Sequence, residues 1–393
     1  MKLMGLLKTL LCLTVFATAF LFVFALLALA GFLAIELRVV AGHDGRVNAV
    51  AFSKDGRMMA SASADEHLRL WQATTGRCLR SLEGHKGWVM SAAWSPDGTW
   101  VASGGEDKTG RLWRVTDGRC VRELRGHTNA VAAVAFSPDG SILATGSFDN
   151  SIKLWRTSDG MLLRTLLGHE DFVNCVAFSP DGETLASGGD DRAVRLWRVS
   201  DGNEVRTLTG HQDYVASVAF SPDGQWLASG AGFEDKTVRL WRALDGTLER
   251  SWKASSGAVM SVAFSPDGAT LASGGGRGDG SIGLWQVNQG TLLRRITGHS
   301  GSVLSVAFSP DGTRLASGSV DCTLGMWRVA DGTRLWGTEG GGEIGWVKGS
   351  LVVLTSAVLA FLIVWGLWRL IGWLYSWVKR KLRPRRNLGP TPV

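Results

Sequence analysis

The sequence predicts an all-β fold, a seven-bladed β-propeller flanked by two transmembrane α-helices. Three observations predict it. One phrase, typified by residues 168–198 (GHEDFVNCVAFSPDGETLASGGDDRAVRLWR), recurs seven times. Each copy holds short apolar runs of period two, broken by Asp-Gly turns. The copies are shut between two long uncharged apolar stretches, residues 9–35 and 350–368.

Gly-His pairs begin at Gly42, Gly84, Gly126, Gly168 and Gly210, a step of 42 residues. The next pair begins at Gly298, 88 residues on, which is two steps of 44. The missing pair belongs at Ala254-Ser255, and insertions just before Asp235 and Asp279 lengthen those steps. Within a copy, Val176 and Phe178 alternate, Asp181-Gly182 turns the chain, and a second apolar run follows. Gly accepts the positive φ that such tight turns need. A further turn at Asp201-Gly202 separates a third run from a fourth, and helical spacing is absent between residues 36 and 340. Four strands and three turns in one repeat make a propeller blade. A lone blade cannot bury both faces, so it must stack on neighbours, and a ring removes the end blades.

On these residues the chain resembles the WD-repeat family of seven-bladed propellers, over roughly residues 36–336. Every copy has the third-strand Trp: Trp71, Trp113, Trp155, Trp197, Trp241, Trp285 and Trp327. Six residues before each stands an Asp: Asp65, Asp107, Asp149, Asp191, Asp235, Asp279 and Asp321. Second-strand hydroxyls stand at Ser61, Ser103, Thr145, Ser187, Ser229, Ser273 and Ser317. The histidines are His43, His85, His127, His169, His211 and His299, with Ser255 in their place in copy six. One departure is systematic: the Trp is followed by Arg five times and Gln twice, never by Asp.

The resemblance implies that His, hydroxyl, Asp and Trp form one hydrogen-bonded tetrad per blade. It also implies protein binding on a propeller face without catalysis. Contact positions of that family fall three residues after each His and one before each Asp. Here they place Trp88, Phe148, Phe172 and Tyr214 on blades two to five, ringed by Glu106, Asp190 and Glu234. Large aromatics with a polar rim are what binding hot spots are made of.

Other chemistry is thin. His169, Ser187 and Asp191 have the composition of a nucleophile triad, but the same set recurs in six copies. Catalysis needs one asymmetric site with an oxyanion hole, so copy number assigns the sets to structure. There is no phosphate loop ending in Gly-Lys-Ser/Thr and no paired Cys at zinc spacing. No catalytic residue, metal, cofactor or small-molecule substrate is therefore expected. The five cysteines form no disulfide framework by spacing, and His67 is expected in an exposed turn. The tripeptide Arg277-Gly278-Asp279 shares its Asp with the repeat, which argues against an adhesive role.

The ends read as membrane segments. Residues 9–35 hold no charge over 27 residues and follow Lys2 and Lys8. A bilayer core needs about 20 apolar residues, and a cleaved signal core is shorter, about 7–15. A retained anchor is the expectation; cleavage after Ala28-Leu29-Ala30 is the alternative. The second span lies within 348–378, with Trp373, Tyr375 and Trp377 at an interfacial end, after a Gly-rich linker at 337–347. The net charge is +7, and the tail after Trp368 holds seven basic residues and no acid. The rest balances at 35 against 35, so the propeller is no basic nucleic-acid surface. Basic flanks on both spans, Lys2 and Lys8 before the first and residues 379–393 after the second, predict both termini in the cytoplasm and the propeller outside it.

Two functions follow as expectations: a membrane-anchored scaffold that binds a protein partner, or a ligand sensor that signals through the second span and its basic tail. The strand Leu37–His43 is expected to close the ring against blade seven, in preference to Asp331–Gly340, because Leu37 and Val40 match the apolar positions of other fourth strands. That closure would send both membrane segments out from the face opposite the Gly-His pairs.

Overall fold

In a computed structural model the chain divides into two units, of which the first spans Val39–Gly342. The structure describes residues 42–338, all within the first unit. The expected spanning segments, most of the linker, and the basic tail lie outside the described residues. Among the described residues no helix is long and apolar enough to cross a membrane.

The described chain is all-β. Twenty-eight strands form seven four-stranded antiparallel sheets, each made of four consecutive strands. Blade one shows the pattern, with strands Val47–Phe52, Met58–Ser63, Leu68–Gln72 and Cys78–Leu82. Its second strand is buried on both faces, because neighbouring blades cover it on either side. Its fourth strand buries only Leu82. First strands of successive blades touch one another. Each core cluster therefore lies between two blades: Val47, Met59 and Trp71 of blade one pack with Ala316, Leu324 and Met326 of blade seven. Side chains of this size contribute about 1.5–3 kcal/mol each when fully buried, so a blade is stable only in contact with its neighbours.

Close approach dictates small residues at the joints. A Cβ on Gly318 would stand 2.6 Å from Val47 Cγ1. On the rim opposite the Gly-His pairs, the Ser-Pro-Asp-Gly turns interlock, with Pro138 of blade three packing on Gly182 of blade four. This contact recurs at every joint but one. Blade one carries Lys54 in place of the proline, and Gly98 of blade two has nothing within 4 Å.

Ring closure corrects the expectation. The fourth strand of blade seven is Arg334–Gly337, from the C-terminal candidate, paired with Leu324–Arg328. In this strand a threonine, Thr338, falls where other fourth strands carry an apolar residue such as Leu208. The structure shows how a threonine fills that position. Thr338 is 4% exposed; its N–H donates to Leu324 O (3.1 Å), and Leu324 N–H donates to Thr338 Oγ1 (2.9 Å). The strand thus runs past residue 336, the expected end of the propeller, into the expected linker. Trp336 supplies the apolar contact with blade one. Because fourth strands run toward the Gly-His rim, the described chain both begins, at Gly42, and ends, at Thr338, on that rim. The exit of both flanking segments from the opposite face depends on closure by Leu37–His43, and the closing strand is Arg334–Gly337 instead.

Candidate functional site

The Gly-His face is built on the tetrads. In blade one, Trp71 Nε1–H donates to Ser61 Oγ (2.7 Å), Ser61 Oγ lies 2.6 Å from His43 Nε2, and His43 Nδ1 lies 2.8 Å from Asp65. The end members set every direction. Indole N–H can only donate and an ionised carboxylate can only accept. The hydroxyl therefore donates to Nε2, and Nδ1–H donates to Asp65.

The same chain recurs through His85, Ser103, Asp107 and Trp113, and through His127, Thr145, Asp149 and Trp155. It recurs again in His169, Ser187, Asp191 and Trp197, and in His211, Ser229, Asp235 and Trp241. His299, Ser317, Asp321 and Trp327 complete the series. Each Asp also fastens two loop N–H groups; Asp65 takes those of Asp44 and His67 at 3.1 Å each. Burial, the largest single influence, would raise these carboxyls, yet the hydrogen bond and charge of His43, the Arg69 charge and the His67 N–H together outweigh it and hold Asp65 at about 2. Asp149 and Asp191 are likewise held at about 2. Burial lowers His43, His127 and His211, so the neutral imidazole is the folded form.

Ser61, Ser103 and Ser187 are fully buried. Each oxygen already accepts an indole N–H, so no substrate carbonyl can reach it. The tetrads hold loops; they have the composition of a triad without its access.

Blade six shows a repair that the sequence pattern missed. Ser255 Oγ donates to Asp279 (2.7 Å), and Trp285 donates to Ser273 (2.8 Å), with no imidazole between them. The third-strand arginine that pairs with Asp in blades one, two, four and five, such as Arg195 on Asp191 (3.3 Å), is Gly283 here. Arg295, opposite Gly283 on the fourth strand, reaches across to Asp279 at 3.4 Å. The equivalents on its two neighbours, blades five and seven, are Ser251 and Gly337, so an arginine out of pattern is the signal. Asp279 is thereby spent, which accounts for the Asp of Arg277-Gly278-Asp279. The residue after each Trp is a turn group: Arg198 pairs with Asp201 at 2.8 Å and Arg114 with Asp117 at 3.0 Å, both at the surface. His67 is half-buried with Nδ1 unpartnered, where an exposed turn was expected. The four described cysteines are free, and burial pushes the Cys175 thiol up to about 12.

The tetrad-fastened loops display the aromatic residues. Trp88 is 42% exposed and Phe172 38%; Phe148 and Tyr214 are half-buried. Phe148 of blade three stacks on Phe172 of blade four, centroids 4.7 Å apart and planes at 22°. The Arg46 guanidinium lies 4.1 Å over the Trp88 ring, and Glu106 accepts the Trp88 N–H (3.2 Å). Tyr214 meets Phe233 edge-on at 6.4 Å. Phe233, 40% exposed, was not anticipated, because it sits in the blade-five insertion, off the repeat register. Among the rim acids, Glu106 and Glu234 are exposed, whereas Asp190 is half-buried and takes the Asn174 amide at 2.6 Å. Among the described residues no three His, Cys, Asp or Glu converge to hold a metal ion.

Comparison with known proteins bears on the fold directly. The family described as WD domain, G-beta repeat matches residues 35–72, 76–114, 118–156 and 290–328. The family described as IFT122 first beta-propeller matches residues 148–278. The chain is similar to the Nuclear distribution protein PAC1 of Arthroderma benhamiae, 42% identical over 55 residues, 12% of each chain. It is similar to the Serine-threonine kinase receptor-associated protein of Gallus gallus, 50% identical over 42 residues, 11% of this chain and 12% of that one. The matched stretches thus span about an eighth of the length of those relatives. Seven four-stranded blades, the tetrads that lock them and the matched repeats together place the chain in the WD-repeat β-propeller family.

Proposed function

We propose that the protein is a membrane-anchored scaffold that captures a protein partner on the Gly-His face of its propeller, and that it is not an enzyme. One observation carries the reading: the stacked Phe148–Phe172 pair, with Trp88 and Tyr214 to either side, stands on loops whose hydrogen bonding the tetrads already complete. The fold does not need these rings in water, and a partner surface does. They lie on blades two to five, whereas the chain enters and leaves the ring at the joint of blades one and seven. The uncharged segments at 9–35 and 350–368 support anchoring, and the basic flanks support cytoplasmic termini with the propeller extracytoplasmic.

The test is crosslinked pull-down from native membranes with the Trp88→Ala/Phe172→Ala double variant. Capture is lost and thermal unfolding stays within about 2 °C, as expected for side chains outside the core. A large drop in Tm would assign both rings to packing instead. For the orientation, a reporter active only in the cytoplasm and fused after Arg386 gives signal; silence there would overturn the topology. A second reading, a sensor, has one observation in its favour: the strand that closes the ring is the chain segment that continues toward residues 350–368. Ligand-dependent change in a label on the tail would support it.

A further inference from the structure

We infer that the partner segment received by blades four and five is cationic, a peptide carrying arginine or lysine beside an apolar side chain. This rests on the scaffold reading and adds the partner's chemistry. Asp171, Asp190 and Asp213 sit on adjacent loops of the two blades. Asp171 and Asp213 each accept the following N–H, from Phe172 and Tyr214, at 2.8 Å. Asp213 also takes the Glu234 N–H at 3.0 Å. Among the described residues none of the three carboxylates is in an ion pair, although Arg192 and Lys236 stand on the same blades. Burial, and then Asp171 and Asp213, raise the Asp190 carboxyl above its ordinary value. Burial, Asp213 and Asp190 push the Tyr214 hydroxyl up to about 12. The cluster therefore carries uncompensated negative charge, and each of Asp171 and Asp213 stands beside a displayed ring.

The chain contains its own example of what completes such a site. At blades one and two, Arg46 lies over Trp88 while Glu106 holds the Trp88 N–H. Blades four and five offer ring and acid with no guanidinium over the ring. A cation placed over Phe172 or Tyr214 gains the attraction of the ring face as well as the carboxylates. The three carboxylates are spread over adjacent loops, and among the described residues no such group stands close enough to hold a metal ion, so an extended cation on a peptide fits the charge better than a point ion does. A negatively charged surface, nucleic acid or anionic lipid, would be repelled.

The experiment uses the full chain in detergent, with labelled peptides of alternating Arg-Leu, Ser-Leu and Glu-Leu, and with calcium chloride alone. The Arg-Leu peptide binds and weakens as salt rises, and Asp171→Asn/Asp190→Asn/Asp213→Asn weakens it about tenfold or more, in line with close charge pairs. Asparagine keeps one acceptor oxygen at each position, for the Phe172 and Tyr214 N–H groups and the Asn174 amide; Asp213→Asn gives up the second bond, to the Glu234 N–H, so a thermal melt of the triple variant is run alongside to check that it folds. Equal binding of the Glu-Leu peptide, no effect of the triple variant, or calcium binding that displaces the peptide would each overturn the inference. Should Trp88→Ala/Phe172→Ala abolish capture while the triple variant changes nothing, the scaffold reading stands and the cationic partner fails. Should the aromatic variant leave capture intact, the scaffold reading itself fails.

Discussion

A single position, Lys54, shows how far each residue's job is set by its neighbours. Six turns read Ser-Pro-Asp-Gly and one reads Ser-Lys-Asp-Gly. In the six, the proline leans on the next blade's glycine; at Lys54 that contact is lost. Blade one also has Ala49 where Ser91, Ser217, Ser261 and Ser305 each accept a valine N–H from the next blade at 3.1 Å. The joint is held by substitutes: Asn48 donates to Val89 O (2.8 Å), and Trp94, in place of the usual Phe, donates its indole N–H to Ala51 O (3.0 Å). Lys54→Pro should therefore stabilise the protein. Proline suits the second position of this turn, restricts the unfolded chain, and restores the contact on Gly98, for a gain of about 0.4–1 kcal/mol. For a domain of this size that is a rise of about 1–3 °C in Tm. A thermal melt with no rise, or a fall, would show that the Lys54 backbone does not match its six counterparts.

At the level of the element, the blades were legible because their pattern is local. Alternation, Asp-Gly turns and the spacing of His, Ser, Asp and Trp all lie within one repeat. The His and hydroxyl stand 18 residues apart, as in His169 and Ser187, and His and Asp stand 22 apart, as in His169 and Asp191, or 24 where the blade-five insertion lengthens the step, so the pairings follow from register. What stayed hidden came from outside the register. Phe233 belongs to an insertion. Arg295 replaces, from a different strand, what Gly283 and Ser255 lack. Thr338 is polar by type, although its hydroxyl serves as the acceptor that a buried strand end requires. Asp190 was placed on the rim, yet the Asn174 amide draws it inward. Pattern ranks residues by type; Thr338 is decided by a backbone group that remains to be paired, Arg295 and Asp190 by side chains elsewhere in their blades, and Phe233 by the extra residues that carry it.

Across the whole ring, one joint differs from the other six, because no peptide bond crosses it. Between most blades an outer-strand arginine straps the next blade's turn: Arg80 to Thr116 O (2.6 Å), Arg122 to Ser158 O (3.3 Å) and Arg250 to Gln289 O (3.0 Å). At the seven-to-one joint Trp336 occupies the arginine's place. Its Nε1–H donates to Ala73 O (3.0 Å), and its ring covers Gly76, whose φ of +71° and close packing leave no room for a side chain. Val50 N–H on Ser305 Oγ (3.1 Å) and Arg314 on Gly56 O (3.2 Å) complete the seam. At the inner joints a lost strap leaves the blades tethered by the chain; at this one it frees an edge. Trp336→Ala should accordingly cost about 2–4 kcal/mol, in the range of large-to-small changes at packed aromatics, and Arg122→Ala less than about 1 kcal/mol. Trp336→Phe, which keeps much of the packing and drops the donor, should fall between them, near the cost of one hydrogen bond, about 1 kcal/mol or a little more. Removing residues 36–41 should leave the melt nearly unchanged, since blade seven has its four strands without them. If that deletion unfolds the ring while Trp336→Ala is tolerated, the N-terminal segment closes the propeller after all, and the C-terminal strand is a passenger on its edge.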